Sequence, residues 1–151
     1  MNKEKFYKMF LDIIDNVENQ YHPLVWINGK PEIGEGTYIG GFSEVNAKNA
    51  KVMIGKNCDI ASFVSINVAD SHKYCIGLSN SLNCSNIIIE DYVFIGSHSV
   101  ILGGAHIGHH SVIGAGTVVR PGFIPPFSLV MGNPMVVKSG YYRKKIQSSE
   151  L

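Results

Sequence analysis

From Ile89 to Val119 an aliphatic residue stands at every sixth position: Ile89, Ile95, Ile101, Ile107, Ile113, Val119. Four places after each of the first five comes a small or β-branched residue, namely Val93, Ser99, Ala105, Ser111 and Thr117. The place directly after is taken by Glu90, Gly96, Leu102, Gly108 and Gly114. A helix repeats every 3.6 residues and a strand every 2, so neither accounts for a period of six held over so long a run. A parallel β-helix built from hexapeptides does: each hexad is a short strand and a corner, with the aliphatic turned into the prism.

The same pattern starts earlier. Ile33, Ile39 and Val45 head three hexads, a three-residue shift falls around Lys51 to Met53, and Ile54, Ile60 and Ile66 head three more. With three hexads to a triangular turn of about 18 residues, the chain holds about four turns. Residues 67–86 lose the pattern and are rich in Gly, Asn and Ser, which predicts a loop leaving one corner of the prism. A long excursion from a repeat array is where function is expected. Ahead of the repeat, Phe6, Met9, Phe10, Ile13, Ile14 and Val17 have helical spacing, predicting an amphipathic helix from residue 3 to about 19, closed by His22-Pro23. The division expected is therefore an N-terminal helix over 1–20, an all-β domain over 21–138 and a basic tail over 139–151.

Composition narrows the picture little. The 151 residues are 45% hydrophobic and 17% charged, with a formal charge of +1. This suits a globular protein and gives no reason to expect nucleic acid. No stretch approaches the roughly 18 consecutive apolar residues of a membrane span, and the N-terminus lacks the features of a signal peptide. Cys58, Cys75 and Cys84 are odd in number and lack metal-type spacing, so reduced thiols and a cytoplasmic location are expected.

His72 lies inside the excursion, two residues after Asp70. An imidazole can accept a proton near neutral pH, making His72 the candidate general base. Asn67 and Asp70 are candidates to orient it or to hold an acceptor. His98, His106, His109 and His110 fall in the variable positions of hexads, on outer faces or corners. The spacing of His106 and His110 would converge ligands on a helix but not on a β-helix, so no metal is expected.

Residues 88–134 bear a resemblance to known proteins. V-F-I-G at 93–96, I-G-A-G-T-V-V at 113–119 and G-N-P at 132–134 together resemble the hexapeptide-repeat acyltransferases. The likeness is to short sugar O- and N-acetyltransferases of the maltose and galactoside acetyltransferase type, and covers roughly residues 31–138. It implies a left-handed β-helix that forms a homotrimer, uses acetyl-coenzyme A and sets its sites between subunits. In that family the catalytic histidine lies in the irregular loop before the later hexads, and S-I-N-V-A-D-S-H-K at 65–73 matches this arrangement at His72.

The implied activity is acetyl transfer to a hydroxyl or amino group of a sugar, possibly nucleotide-linked, in surface polysaccharide biosynthesis. Backbone N–H groups around Gly96 and Ser97 would stabilise the oxyanion, and the pantetheine arm would pass Gly114 and Ala115. Arg120 and Lys138 are candidates for the cofactor phosphates. Relatives commonly have T-K-D-I-P-P after the last V-V, where this chain has R-P-G-F-I-P-P at 120–126, one residue longer and without that lysine. Two other readings share the solenoid. A γ-type carbonic anhydrase would need a pair of zinc histidines five residues apart, which the chain lacks; a non-catalytic scaffold would need no His72 loop.

Overall fold

The structure is a computed structural model, and it describes residues 1–16 and 18–149. Short strands stack into three parallel sheets that form the sides of a prism. Face one carries Trp26–Gly29, Glu44–Ala47, Ser65–Asn67, Val100–Leu102 and Val118–Val119. Face two carries Glu32–Ile33, Val52–Ile54, Ile87–Ile89, Ala105–Ile107 and Gly122–Ile124. Face three carries Tyr38–Ile39, Asp59–Ile60, Phe94–Ile95, Val112–Ile113 and Leu129–Met131. The chain visits the faces in the order one, two, three, and the architecture is that of a left-handed parallel β-helix.

The hexad residues stack in register. Val45 pairs with Ile66, which pairs with Ile101 and then Val119; Ile54, Ile89, Ile107 and Ile124 do the same on face two, and Ile60, Ile95, Ile113 and Val130 on face three. All are buried, so the core is a column of branched aliphatics. Each such side chain removed from water contributes roughly 1.5–3 kcal/mol.

The small position of each hexad has a second task. Thr37, Ser43, Ser99, Ser111, Thr117 and Ser128 are buried. Ser99 Oγ donates to Gly114 O at 3.1 Å and accepts from Thr117 N–H at 3.4 Å. Ser43 Oγ likewise donates to Ala61 O and accepts from Val64 N–H. A short hydroxyl there satisfies a carbonyl and an N–H at the corner of the next turn.

The glycine after the aliphatic is needed for room. A Cβ on Gly34 would stand 2.5 Å from Gly55 C, and one on Gly96 would stand 2.5 Å from Ala115 N, because adjacent turns touch backbone to backbone there.

Three expectations change. Among the described residues there are five turns, one more than expected. The segment Trp26–Gly29 is the opening strand of face one, and residues 121–131, to which the hexad count assigned no turn, build two sides of the fifth turn through Ile124 and Val130. The N-terminal helix α1 spans only Lys3–Ile13, capped by Asn2 Oδ1 accepting Lys5 N–H at 2.8 Å. It stops because Asp15 adopts φ 53°, with Asn16 N–H bonded to Leu11 O and Asp15 N–H to Asp12 O. Val17, expected on its apolar face, lies outside the described residues. Beyond the fifth turn the chain folds back: Val136–Lys138 pairs antiparallel with Leu129–Met131 on face three, and a short helix covers Arg143–Ser149. Among the described residues no helix is long and apolar enough to cross a membrane.

Candidate active site

The excursion leaves the third turn at the edge between faces one and two, after Ser65–Asn67, and returns at Ile87–Ile89. It is a hairpin with a helical tip. Ala69–Asp70 pairs antiparallel with Asn83–Cys84, and the one-turn helix α2 spans His72–Cys75. Asn67 anchors its base: its Oδ1 accepts Asn46 Nδ2 at 3.1 Å and Ala69 N–H at 2.9 Å. Ser85 N–H returns to Val68 O at 3.0 Å, and a Cβ on Gly103 would come within 2.6 Å of that same carbonyl.

The hairpin overhangs a cleft of about 680 Å³, lined by Val68, Asp70, His72 and Cys75 together with Leu102 and Pro121 of later turns. His72 Nδ1 lies 2.5 Å from Asp70 Oδ1, which also accepts the His72 backbone N–H at 3.0 Å. An ionised carboxylate can only accept, so Nδ1 carries the proton in this contact and Nε2 is left as the basic nitrogen. The two donors of His72, backbone first and ring second, hold the Asp70 carboxyl below its ordinary value.

The other expected residues form a second cluster on a different edge. Gly96 and Ser97 follow the face-three strand of the third turn, and Gly114 and Ala115 follow that of the fourth, so all four share the edge between faces three and one. Gly96 N–H donates to Ile113 O at 2.8 Å, and Ser97 O accepts Gly116 N–H at 2.9 Å. Arg120 stands on the His72 edge, beside Pro121 of the cleft, whereas Lys138 ends the hairpin strand on face three. Within one chain, therefore, Asp70, His72 and Arg120 share an edge, and Gly96, Ser97, Gly114 and Ala115 share another.

Sequence reasoning passed over a network at the third edge, between faces two and three. Glu90 Oε1 is 2.7 Å from His106 Nε2, and its Oε2 accepts His109 N–H at 2.9 Å. Burial pushes the Glu90 carboxyl up, but the donors His106 and His109 outweigh it and leave it below its ordinary value. His109 Nδ1 and His110 Nδ1 are 2.9 Å apart, so one donates and the other accepts. His110 is held below the ordinary imidazole value by burial first and by His109 second, against an opposing pull from Asp91. Its ring stacks between Tyr92 and Phe127. The signal available in advance was spacing: Tyr92 and His110 stand one turn apart. Among the described residues no group of three or more His, Cys, Asp or Glu side chains is arranged to hold a metal ion.

Residues 86–121 match the bacterial transferase hexapeptide family, described as six repeats. Those residues carry the hexapeptide repeat of that family. It is 30% identical over 122 residues to the 2,3,4,5-tetrahydropyridine-2,6-dicarboxylate N-succinyltransferase of Xylella fastidiosa, a match covering 72% of this chain and 40% of that protein. The chain thus spans well under half of that relative. Two solved structures share the fold. The polySia specific acetyltransferase NeuO is 28% identical with a TM-score of 0.63, over 77% of this chain and 61% of NeuO. A hexapeptide-repeat containing acetyltransferase from Vibrio cholerae is 25% identical with a TM-score of 0.65, over 93% of this chain and 82% of that one.

Proposed function

We propose that this hexapeptide-repeat protein is an acetyl-coenzyme A-dependent acetyltransferase acting on a hydroxyl or amino group of a sugar, with nucleotide-linked sugars included, and that His72 is its general base. The observation that carries the reading is the Asp70–His72 pair set in a cleft where the repeat is interrupted. The names of the similar proteins support it at the level of chemistry: one transfers succinyl groups and two transfer acetyl groups.

With Nδ1 tied to Asp70, Nε2 of His72 takes the proton of an acceptor hydroxyl as its oxygen attacks the thioester carbonyl carbon. The carbonyl π pair moves to oxygen, and a backbone N–H of the Gly96–Ser97 corner serves the oxyanion; with Gly96 N–H bonded to Ile113 O, that task falls to Ser97. Collapse of the tetrahedral intermediate breaks the carbon–sulfur bond, and the thiolate leaves with the proton held by the imidazolium. The products are the acetyl ester and free coenzyme A. An amine acceptor follows the same course to an amide. Because His72 and the Gly96–Ser97 corner occupy different edges of one prism, the reaction requires a neighbouring copy, and a homotrimer with sites between subunits meets that need. Gly114 and Ala115 leave passage for the pantetheine arm, and Arg120 and Lys138 are the cations proposed for its phosphates.

Thiol release from acetyl-coenzyme A, measured across amino sugars, nucleotide-linked sugars and oligosaccharides, tests the proposal. His72→Ala is expected to lose about 10²–10⁴-fold in kcat on the accepted sugar. Undiminished turnover in that variant would remove His72 from the mechanism.

A further inference from the structure

The corner from face one to face two is short in turns one, four and five, where it takes residues 30–31, 103–104 and 120–121. In the second turn it runs over 48–51, where the hexad spacing slips, and it lies directly beneath the excursion at 68–86 of the third turn. The longer corner holds both legs of that excursion. On the outgoing leg, Asn46 Nδ2 donates to Asn67 Oδ1 at 3.1 Å and Asn46 O accepts Val68 N–H at 3.3 Å. On the returning leg, Asn86 Oδ1 accepts Lys51 N–H at 2.9 Å, while Asn86 O accepts Gly104 N–H of the fourth turn at 2.9 Å.

The two amides on the outgoing leg have only one consistent orientation. Lys48 N–H donates to Asn46 Oδ1 at 3.0 Å, so the nitrogen of that amide must face Asn67, whose own oxygen is fixed by Ala69 N–H at 2.9 Å. Asn46 and Asn67 are paired rungs of face one, and each accepts the N–H two residues on. The next rung is Leu102, and its corner is one of the short ones. The hairpin needs such support. Its strands are Ala69–Asp70 and Asn83–Cys84, and two strands of that length have little stability of their own. Residues 70–78 are exposed, whereas Val68 is buried with its carbonyl accepting Ser85 N–H, so the direction in which His72 points is fixed at the root.

We infer that the enlarged corner 48–51 is the seat of the His72 hairpin, and that Asn46 and Asn86 are positioning residues for His72, one on each leg. This deepens the acetyltransferase reading above and rests on it for the role of His72. Neither asparagine takes part in proton transfer; each acts through the hairpin it holds.

Steady-state kinetics and hydrogen exchange of Asn46→Ala, Asn46→Asp and Asn86→Ala test the seat, with Asn28→Ala, the rung one turn below Asn46, as the control. Asn46→Ala is expected to lower kcat about tenfold with the KM for acetyl-coenzyme A changed by less than about twofold. Asn86→Ala is expected to lower kcat about threefold. Asn46→Asp keeps the size of the side chain and the acceptor for Lys48 but sets a carboxylate against Asn67 Oδ1, and is expected to lose at least as much as the alanine. Amide exchange at 68–70 and 83–86 is expected to quicken about fivefold in the Asn46 variants, with the strands of the three faces unaffected. Asn28→Ala is expected to change neither kcat nor exchange. A cycle with His72 gives the readout that a general loss of stability would not: adding Asn46→Ala to His72→Ala is expected to cost less than about twofold further in kcat, because no base is left to position. Should the alanine variant not fold, Asn46→Asp carries the cycle. A further loss as large in the His72→Ala background as in the wild type overturns the positioning role, as does undiminished kcat or unchanged exchange in Asn46→Ala, and in each case His72 keeps its own role. Full activity in His72→Ala overturns the general-base reading and the positioning role together.

Discussion

Asp70 decides which nitrogen of His72 is available for chemistry. Its carboxylate accepts a hydrogen bond from Nδ1–H and so leaves Nε2 as the basic nitrogen. Asp70→Asn keeps the shape but can meet Nδ1 with an amide donor as readily as with an oxygen, so both tautomers become populated. A fall of about 10² in kcat is expected, with the KM for acetyl-coenzyme A little changed, measured by steady-state kinetics. The depressed carboxyl also has a pH consequence. A carboxylate whose folded value is lowered stabilises the folded state above its unfolded value, and loses that contribution as pH falls through the folded one. Hydrogen exchange of residues 69–84 is therefore expected to stay slow down to about pH 4 and to quicken below it, and in Asp70→Asn to show no such acid step. The pairing of Asp70 with His72 was legible in advance only as proximity in the chain. Its geometry is set at the hairpin tip, where Asp70 Oδ1 meets both the backbone N–H and the ring Nδ1 of His72.

At the scale of elements, the corners carry as much information as the strands. The hexad aliphatics announced the prism, and their register is the one the spacing required. The corner rings were not foreseen, since nothing in a six-residue period says that Phe42, Phe63, Tyr92, His98, His110 and Phe127 would share a left-handed conformation and stack from turn to turn. The histidine corner gives a prediction of its own. His110 is held below the ordinary imidazole value, so as pH drops below about 6.5 the unfolded chain takes up a proton that the folded chain resists, and stability falls. His109 at 2.9 Å adds repulsion once both rings are charged, Arg143 lies over the Phe127 ring that stacks on His110, and the Asp91 and Glu90 carboxylates oppose the trend. Tm measured from pH 8 to pH 5.5 is expected to decline, and His110→Asn, a residue suited to positive φ, is expected to flatten that decline. A slope unchanged by the substitution would place its origin elsewhere.

For the whole molecule, the separation of the two clusters makes the proposed site a property of an assembly. Five turns make a short prism of which the His72 edge and the Gly96–Gly114 edge are distinct corners. If one copy supplies His72 and its neighbour supplies the Ser97 corner, two inactive variants can complement each other. His72→Ala and Ala115→Trp, each silent alone, are expected to regain roughly a quarter of wild-type activity when refolded together in equal amounts, because about that share of interfaces joins an intact histidine to an intact corner. No recovery in the mixed assembly would confine the site to one chain.

Much of this protein is determined by local periodicity. A branched aliphatic every six residues, a hydroxyl or small residue four places on and a glycine where two backbones meet can form only a stacked solenoid, and the loss of that pattern at 67–86 marked the excursion. Other features rest on contacts between residues far apart in the chain, which no short repeat encodes. Turn five escaped notice because Ile107 and Ile113 align with Ile124 and Val130 across a shortened interval broken by Pro121, Pro125 and Pro126. The helix ended early because Asp15 takes a left-handed conformation that the apolar spacing around it does not record. The distribution of His72 and Gly96 over different edges was decided by tertiary structure alone. A residue's place on a prism depends on every insertion before it, and three residues near Lys51 or nineteen in the excursion 68–86 alter the count without disturbing the faces.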